Sequence, residues 1–221
     1  MSLALFDLDN TLLAGDSDYL WGVFLAQQGI VDRKTYEMEN QRFYEEYKQG
    51  NLDIYEFLAF SLKPLAENDA KTLRQLQTRF MDEVIRPLMS KASFDLIEQH
   101  RQQGDSLAII TATNSFVTAP IARAFGIDNL IATEPEKNAS GYTGRVAGTP
   151  CFQEGKVKRI LEWLNGREES LDNSWFYSDS HNDLPLLELV TKPVAVDPDD
   201  ILRHTAEERH WPVISLRSSA G

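Results

Sequence analysis

The chain opens with four apolar residues, Leu3 to Phe6, that stop abruptly at Asp7. Such a run, bounded by a polar turn, fits a strand buried on both faces of a parallel sheet. The pattern then changes period. Tyr19 to Ala26 is apolar and aromatic, with Gly29 as a helix stop. Asp32 can cap a second helix, which carries Tyr36, Phe43, Tyr44 and Tyr47 among charges and ends at Gly50. Helical spacing of apolar positions predicts two more helices, residues 54–65 and 69–85, with Leu73, Leu76 and Phe80 on one face of the latter. Pro87 closes this set.

Beyond Pro87 helices and strands alternate. Helices are expected at residues 93–103, 116–125, 155–164, 182–189 and 200–209. Strands are expected at 107–110, 130–133, 175–177, 194–196 and 213–216, and the glycines of residues 139–148 point to a separate small hairpin. Alternation of this kind predicts an α/β fold, a Rossmann-like doubly wound parallel sheet. The stretch without strand signals reads as an insertion. The division is therefore a core of residues 1–15 and 87–221 and an inserted all-helical cap of residues 16–86.

Composition narrows the function. A net charge of −12 over 221 residues argues against nucleic acid and anionic membrane surfaces as partners. It would also repel an anionic substrate at long range, so phosphate chemistry would need a local metal and local Lys or Arg. Cys151 is the single cysteine, which excludes an internal disulfide and a multi-cysteine zinc site. The apolar start is too short for a signal peptide, and no apolar run is long enough to span a bilayer. A cytoplasmic protein, monomer or homodimer, that acts on a small molecule is the expectation.

Polar groups gather at three predicted strand ends: Asp7-Leu8-Asp9-Asn10-Thr11, Thr111-Ala112-Thr113-Asn114, and Ser178-Asp179-Ser180-His181-Asn182-Asp183. In open α/β sheets ligands bind at the carboxyl ends of the strands. Two acids as close as Asp7 and Asp9 need a cation or a shared proton. A hard cation such as Mg²⁺ takes oxygen ligands, here the carboxylates of Asp7 and Asp179 and the carbonyl of Asp9. Thr111 offers a hydroxyl, the amides after it can hold a phosphate oxygen, and Lys156 can reach in as a cation. That inventory suits phosphoryl transfer. Singly, each residue reads as an ordinary turn, cap or solvated lysine; only the joint arrangement points to chemistry. His100, His204 and His210 are expected at the surface, His181 at the rim of the pocket, and Cys151 as a packed residue.

The four segments resemble the motifs of the haloacid dehalogenase superfamily in its phosphatase form: Asp7 to Thr11, Thr111, Lys156, and Asp179 to Asp183. The helical insert resembles the cap of the phosphoserine-phosphatase-like branch. The resemblance implies a Mg²⁺-dependent phosphomonoesterase. Asp7 would be the nucleophile that forms an aspartyl-phosphate, and Asp9 the acid and then the base. Thr111, Ala112 and Lys156 would bind the phosphoryl group. Asp7, Asp9 and Asp179 would hold the metal, with Asn182 and Asp183 in support. A phosphotransferase on the same fold is the alternative chemistry.

Two departures from that branch bear on the substrate. Asp16 stands where phosphoserine phosphatases carry a longer glutamate for the substrate amine. Ala59-Phe60-Ser61 stands where they carry a basic cap segment for the substrate carboxylate. The expected substrate is therefore a small phosphorylated amine without an adjacent carboxylate, L-histidinol phosphate first and phosphoserine second, as in the histidinol-phosphatase-like members of the branch. Trp21, Tyr44, Tyr47, Phe57 and Phe60 can offer flat surfaces to a ring, and Arg42 can replace the missing carboxylate partner in space.

Overall fold

The structure, a computed structural model, describes residues 2–217. Strand β1 (Leu3–Phe6) leads into a wide turn and then a run of helices: α1 (Ser17–Gln27), α2 (Arg33–Lys48), α3 (Ile54–Ser61), α4 (Lys63–Glu67) and α5 (Ala70–Phe80). The chain continues through α6 (Lys91–Gln102), β2 (Ser106–Asn114), α7 (Ser115–Ala124), β3 (Asn129–Asn138) and β4 (Gly141–Ala147). It ends with α8 (Glu154–Leu164), β5 (Trp175–Ser178), α9 (Leu184–Leu187), β6 (Lys192–Val196), α10 (Asp200–Glu208) and β7 (Val213–Ile214). None of the helices is long and apolar enough to cross a membrane among the described residues.

The seven strands form one sheet in the order β4-β3-β2-β1-β5-β6-β7. β1 is central and pairs in parallel with β2 and β5. Its four residues are all buried, two toward each face. Leu3 and Leu5 pack with Ile160, Leu186, Leu202 and Ala206 of α8, α9 and α10. Ala4 and Phe6 belong to the opposite core, with Trp21, Phe80, Ile97 and Val117. Helices thus cover both faces, which is the doubly wound arrangement.

The helices between β1 and β2 begin where the aspartates fall. Asp16, Asp32, Asp53 and Asp69 cap α1, α2, α3 and α5, each accepting one or two backbone amides through its carboxylate. Each such cap contributes about 1 kcal/mol. The apolar face of α1 joins the sheet's core: Trp21 meets Phe80 of α5 at 5.1 Å and Phe116 of α7 at 5.7 Å between ring centroids. Trp21 is therefore a core residue and offers no surface to a ligand.

Four expectations need correction. The segment expected as one helix over 54–65 is two, because Pro64 starts α4 afresh. The expected separate hairpin is instead the antiparallel pairing of β4 with the far end of β3, which runs on past Pro135 with a register shift there. Residues 182–189 form a single 3₁₀ turn, His181–Asp183, before the short α9. His100 is buried, not superficial: Nδ1 lies 2.8 Å from Asp105 and Nε2 2.8 Å from the Tyr177 hydroxyl, so both ring nitrogens are satisfied inside the core.

Candidate active site

The parallel register brings Asp7, Thr111 and Asp179 to one edge of the sheet, at the ends of β1, β2 and β5. The chain turns sharply after β1, with Asn10 at φ 54° in the left-handed region that asparagine tolerates. Arg217 holds that turn from the far end of the chain. It donates Nη1 to the Thr11 carbonyl at 3.1 Å and Nη2 to the Asn10 carbonyl.

Lys156 enters from the first turn of α8 and is buried between two carboxylates. Its Nζ lies 2.6 Å from Asp7 and 2.8 Å from Asp183. Asp183 also accepts from the Ser178 hydroxyl at 2.7 Å. Burial pushes the Asp7 carboxyl up to about 7, against the opposing pull of Lys156. Asp9 faces another way: it accepts from the Ser17 amide at 2.6 Å and the Thr113 hydroxyl at 2.7 Å, with Thr111 at 3.5 Å. Burial, then the nearby Asp16 charge, pushes its carboxyl up to about 6. A carboxyl held in that range is suited to give and take a proton near neutral pH.

Among the described residues, no cationic side chain pairs with Asp179. The Thr11 hydroxyl lies 3.0 Å from its carboxylate and 3.3 Å from that of Asp7, and accepts the Asp179 amide at 3.0 Å. Burial and the Asp7 charge push the Asp179 carboxyl well above the usual carboxylate range. These are hard oxygen donors carrying more negative charge than Lys156 offsets, which is what a divalent cation would relieve. Among the described residues no three His, Cys, Asp or Glu side chains form a metal cluster. The expected set needs only two, because Mg²⁺ fills the rest of its shell with carbonyl, water and phosphate oxygens.

Asn182 links this edge to the helical insert. Its Nδ2 donates to the Tyr47 carbonyl at 3.0 Å, while its Oδ1 accepts from Gln153 at 2.9 Å. Gly50, at φ +72°, passes so close to His181 that an added Cβ would lie 2.7 Å from Nε2. His181 itself is held by Asp199 at 2.8 Å. The insert is thus seated on the sheet edge.

Between them lies a chamber lined by Asp7, Asp9, Thr111, Ala112 and Thr113 from the sheet side and by residues of the insert. The insert contributes two carboxylates, Asp16 and Asp18, with Asn40 and the rings of Tyr19, Phe43, Tyr44, Tyr47 and Phe57. Phe60 is not among the lining residues; it packs on Tyr36 and Phe43. Among the described residues, no Lys, Arg or His lines the chamber. Arg42 in particular is spent on Glu39, Glu46 and Glu56.

Sequence reasoning brought together Asp7, Asp9, Thr111, Lys156, Asp179, Asn182 and Asp183 and placed Asp16 at the chamber. It assigned no role to Thr113, which shares a strand face with Thr111 two residues away, and missed Asp18, two residues past the cap. It also missed Arg217, for which no local signal exists.

The comparisons with known proteins agree with this geometry. Residues 4–188 match the haloacid dehalogenase-like hydrolase family. A histidinol-phosphatase of Neisseria meningitidis serogroup C is 44% identical over 220 residues, covering 98% of this chain and 99% of that protein. A solved protein of unknown function from Bordetella pertussis superposes with a TM-score of 0.92 at 48% identity, covering 98% and 99% of the two chains. A phosphoserine phosphatase solved as a phospho-aspartyl intermediate analogue shares the fold, with a TM-score of 0.72 at 16% identity over 99% of this chain and 94% of that one. The chain belongs to the haloacid dehalogenase-like hydrolase family and is a phosphatase of that family.

Proposed function

We propose that the protein is a Mg²⁺-dependent phosphomonoesterase that works through an aspartyl-phosphate on Asp7 and takes a small phosphorylated amine, L-histidinol phosphate first. The observation that carries the substrate reading is the chamber wall: carboxylates and aromatic rings, with no cation for a substrate carboxylate. A buried ammonium needs an anionic partner and a buried carboxylate a cationic one. Asp16 supplies the former, since only one of its oxygens is used to cap α1. The similarity to a histidinol-phosphatase over nearly the whole chain supports the same reading.

In this mechanism a carboxylate oxygen of Asp7 attacks phosphorus and the ester bond to the leaving alcohol breaks. Asp9 gives its proton to the departing oxygen. It then takes one from the water that cleaves the aspartyl-phosphate and frees inorganic phosphate. Lys156 offsets charge at Asp7, and the Thr111 hydroxyl and the Ala112 amide receive phosphoryl oxygens. Mg²⁺, held by the Asp7 and Asp179 carboxylates and the Asp9 carbonyl, would offset the phosphate charge, with Asp183 behind through Lys156. Residues 16–86 act as the lid over a core of residues 1–15 and 87–221, closing through the Asn182 to Tyr47 contact and excluding water.

The test is kcat/KM for L-histidinol phosphate beside phosphoserine, with Mg²⁺ and with a chelator, in the wild type and in Asp7→Asn. The expected result is a preference for L-histidinol phosphate, loss of turnover on chelation, and less than about a tenth of the rate in the variant, a barrier rise above about 1.4 kcal/mol. A preference for phosphoserine overturns the substrate. Higher residual activity in Asp7→Asn overturns the nucleophile.

A further inference from the structure

The acids of the chamber differ in what holds them. Asp7 has Lys156, Asp9 has the Ser17 amide and the Thr113 hydroxyl, and Asp16 has the amides of Asp18 and Tyr19. Asp18 has nothing: among the described residues no side chain or backbone donor reaches its carboxylate, although the residue is only 9% exposed. Asn40, which lines the same chamber, donates its side-chain amide to the Tyr19 carbonyl at 2.9 Å. A buried carboxylate without a partner costs several kcal/mol. A fold tolerates that cost at a site a ligand completes.

Asp16 already accepts two amides and Asp18 accepts none among the described residues, so Asp18 leaves a demand that the Asp16 contact does not itself meet. Resting on the amine reading above, we infer that Asp18 is a specificity-determining residue. It receives a second nitrogen-bearing group of the leaving alcohol, a protonated or N–H-donating ring or a second ammonium, apart from the amine that Asp16 takes. The rings of Tyr19, Phe43, Tyr44 and Phe57 line the same chamber and suit a flat heterocycle whose N–H ends at Asp18. The substrate class is therefore the phosphate monoesters of amino alcohols that carry a further N–H group. A phenyl ring of the same size would leave the carboxylate facing a carbon edge, and sites built to accept an N–H reject analogues that lack it.

Two substrate pairs isolate that second group. L-histidinol phosphate against L-phenylalaninol phosphate exchanges imidazole for phenyl and keeps the amine. L-lysinol phosphate against L-norleucinol phosphate adds or removes a terminal ammonium. In the wild type the nitrogen-bearing member of at least one pair is expected to have the higher kcat/KM, by about tenfold or more, carried mainly in KM. In Asp18→Asn that ratio is expected to fall by about tenfold or more, and Asp18→Glu, which keeps the charge, to retain most of it. Because Asp18→Asn removes an unpaired buried charge, its ligand-free thermal midpoint is expected to rise, which a structural anion would not give. Asp18→Ser serves as a second neutral variant. A ratio within about threefold of the wild-type value in both neutral variants overturns the assignment of Asp18. A wild type that prefers phosphoserine to every amino-alcohol phosphate overturns the amine reading instead, and the variant-dependent ratios tell the two failures apart.

Discussion

Replacing Lys156 with Met probes the most tightly held charge in the molecule. Lys156 is 3% exposed, and its ammonium sits 2.6 Å from Asp7 and 2.8 Å from Asp183. At an effective dielectric near 20, each contact has a gross attraction of about 6 kcal/mol, against which several kcal/mol of desolvation must be set. Methionine fills similar space, so the cavity cost is small and the main loss is electrostatic. Two carboxylates would be left buried with no cation, a situation that costs about 3–5 kcal/mol. For a chain of this length, that is a drop of about 10 °C in the thermal midpoint. Urea denaturation in metal-free buffer measures it directly. Catalytic efficiency should fall by about 10²-fold or more, as when a preorganised charge at a reacting centre is removed. The double variant Lys156→Met/Asp183→Asn tests the cause, because it removes one of the orphaned carboxylates. It should recover about 1 kcal/mol or more relative to the single variant. A single variant destabilised by less than about 1 kcal/mol, or a double variant with no recovery, would refute the charge-compensation account.

Other outcomes follow from the same geometry. Asp9→Asn should slow alkyl phosphates more than aryl phosphates while phosphorylation of Asp7 limits the rate, since only poor leaving groups need its proton; equal losses would remove Asp9 as the acid. Burial raises the folded-state carboxyls of Asp7 and Asp9 from 3.8 to about 7 and about 6, so the folded protein binds protons that the unfolded chain releases. Metal-free thermal midpoints should therefore fall as pH rises from about 4 to about 7, and a rise across that window contradicts it. Gly50→Ala places a Cβ against His181 at a φ of +72°, and should raise KM and cost about 1 kcal/mol or more of stability by calorimetry. Burial pushes the Cys151 thiol up to about 12, so iodoacetamide at pH 8 should label it only in denaturant.

The strand-end chemistry was readable because apolar runs and the polar clusters that end them are local signals. Leu3–Phe6 announces a buried strand, and Asp7 must then lie at its end. The aspartate caps of the insert are equally local, as Asp32 shows. Long-range facts were not readable. His100 looks superficial until Asp105 and Tyr177 close around it from other elements. β3 runs through Pro135 because β4 pairs with its far end, which lies beyond its pairing with β2 and is therefore paired on one side only, and such a segment accommodates proline. The aromatic residues of the insert carry no mark that separates Trp21, which is core, from Tyr44, which lines the chamber. Asp18 resembles any acid in a first helical turn; only the tertiary structure shows that no donor among the described residues answers it.

The position of β1 has a consequence for how the chain folds. The first of these seven strands in chain order is the middle strand of the sheet, and its two neighbours, β2 and β5, begin at residues 106 and 175. The intervening helices carry their own caps and can begin to form while their own sequence emerges, before the packing of α1 on α7 and of α4 on β4 is available. β1 cannot be paired on either side until β2 has been made, and not on both until β5 has. Until then Leu3–Phe6 is an apolar strand with two open edges, the kind of segment that invites association between nascent chains. The slow event in folding should therefore be the insertion of β1 between β2 and β5 rather than the assembly of the helices. The same event creates the reactive centre, so catalytic activity and completion of the sheet should appear together in a refolding experiment.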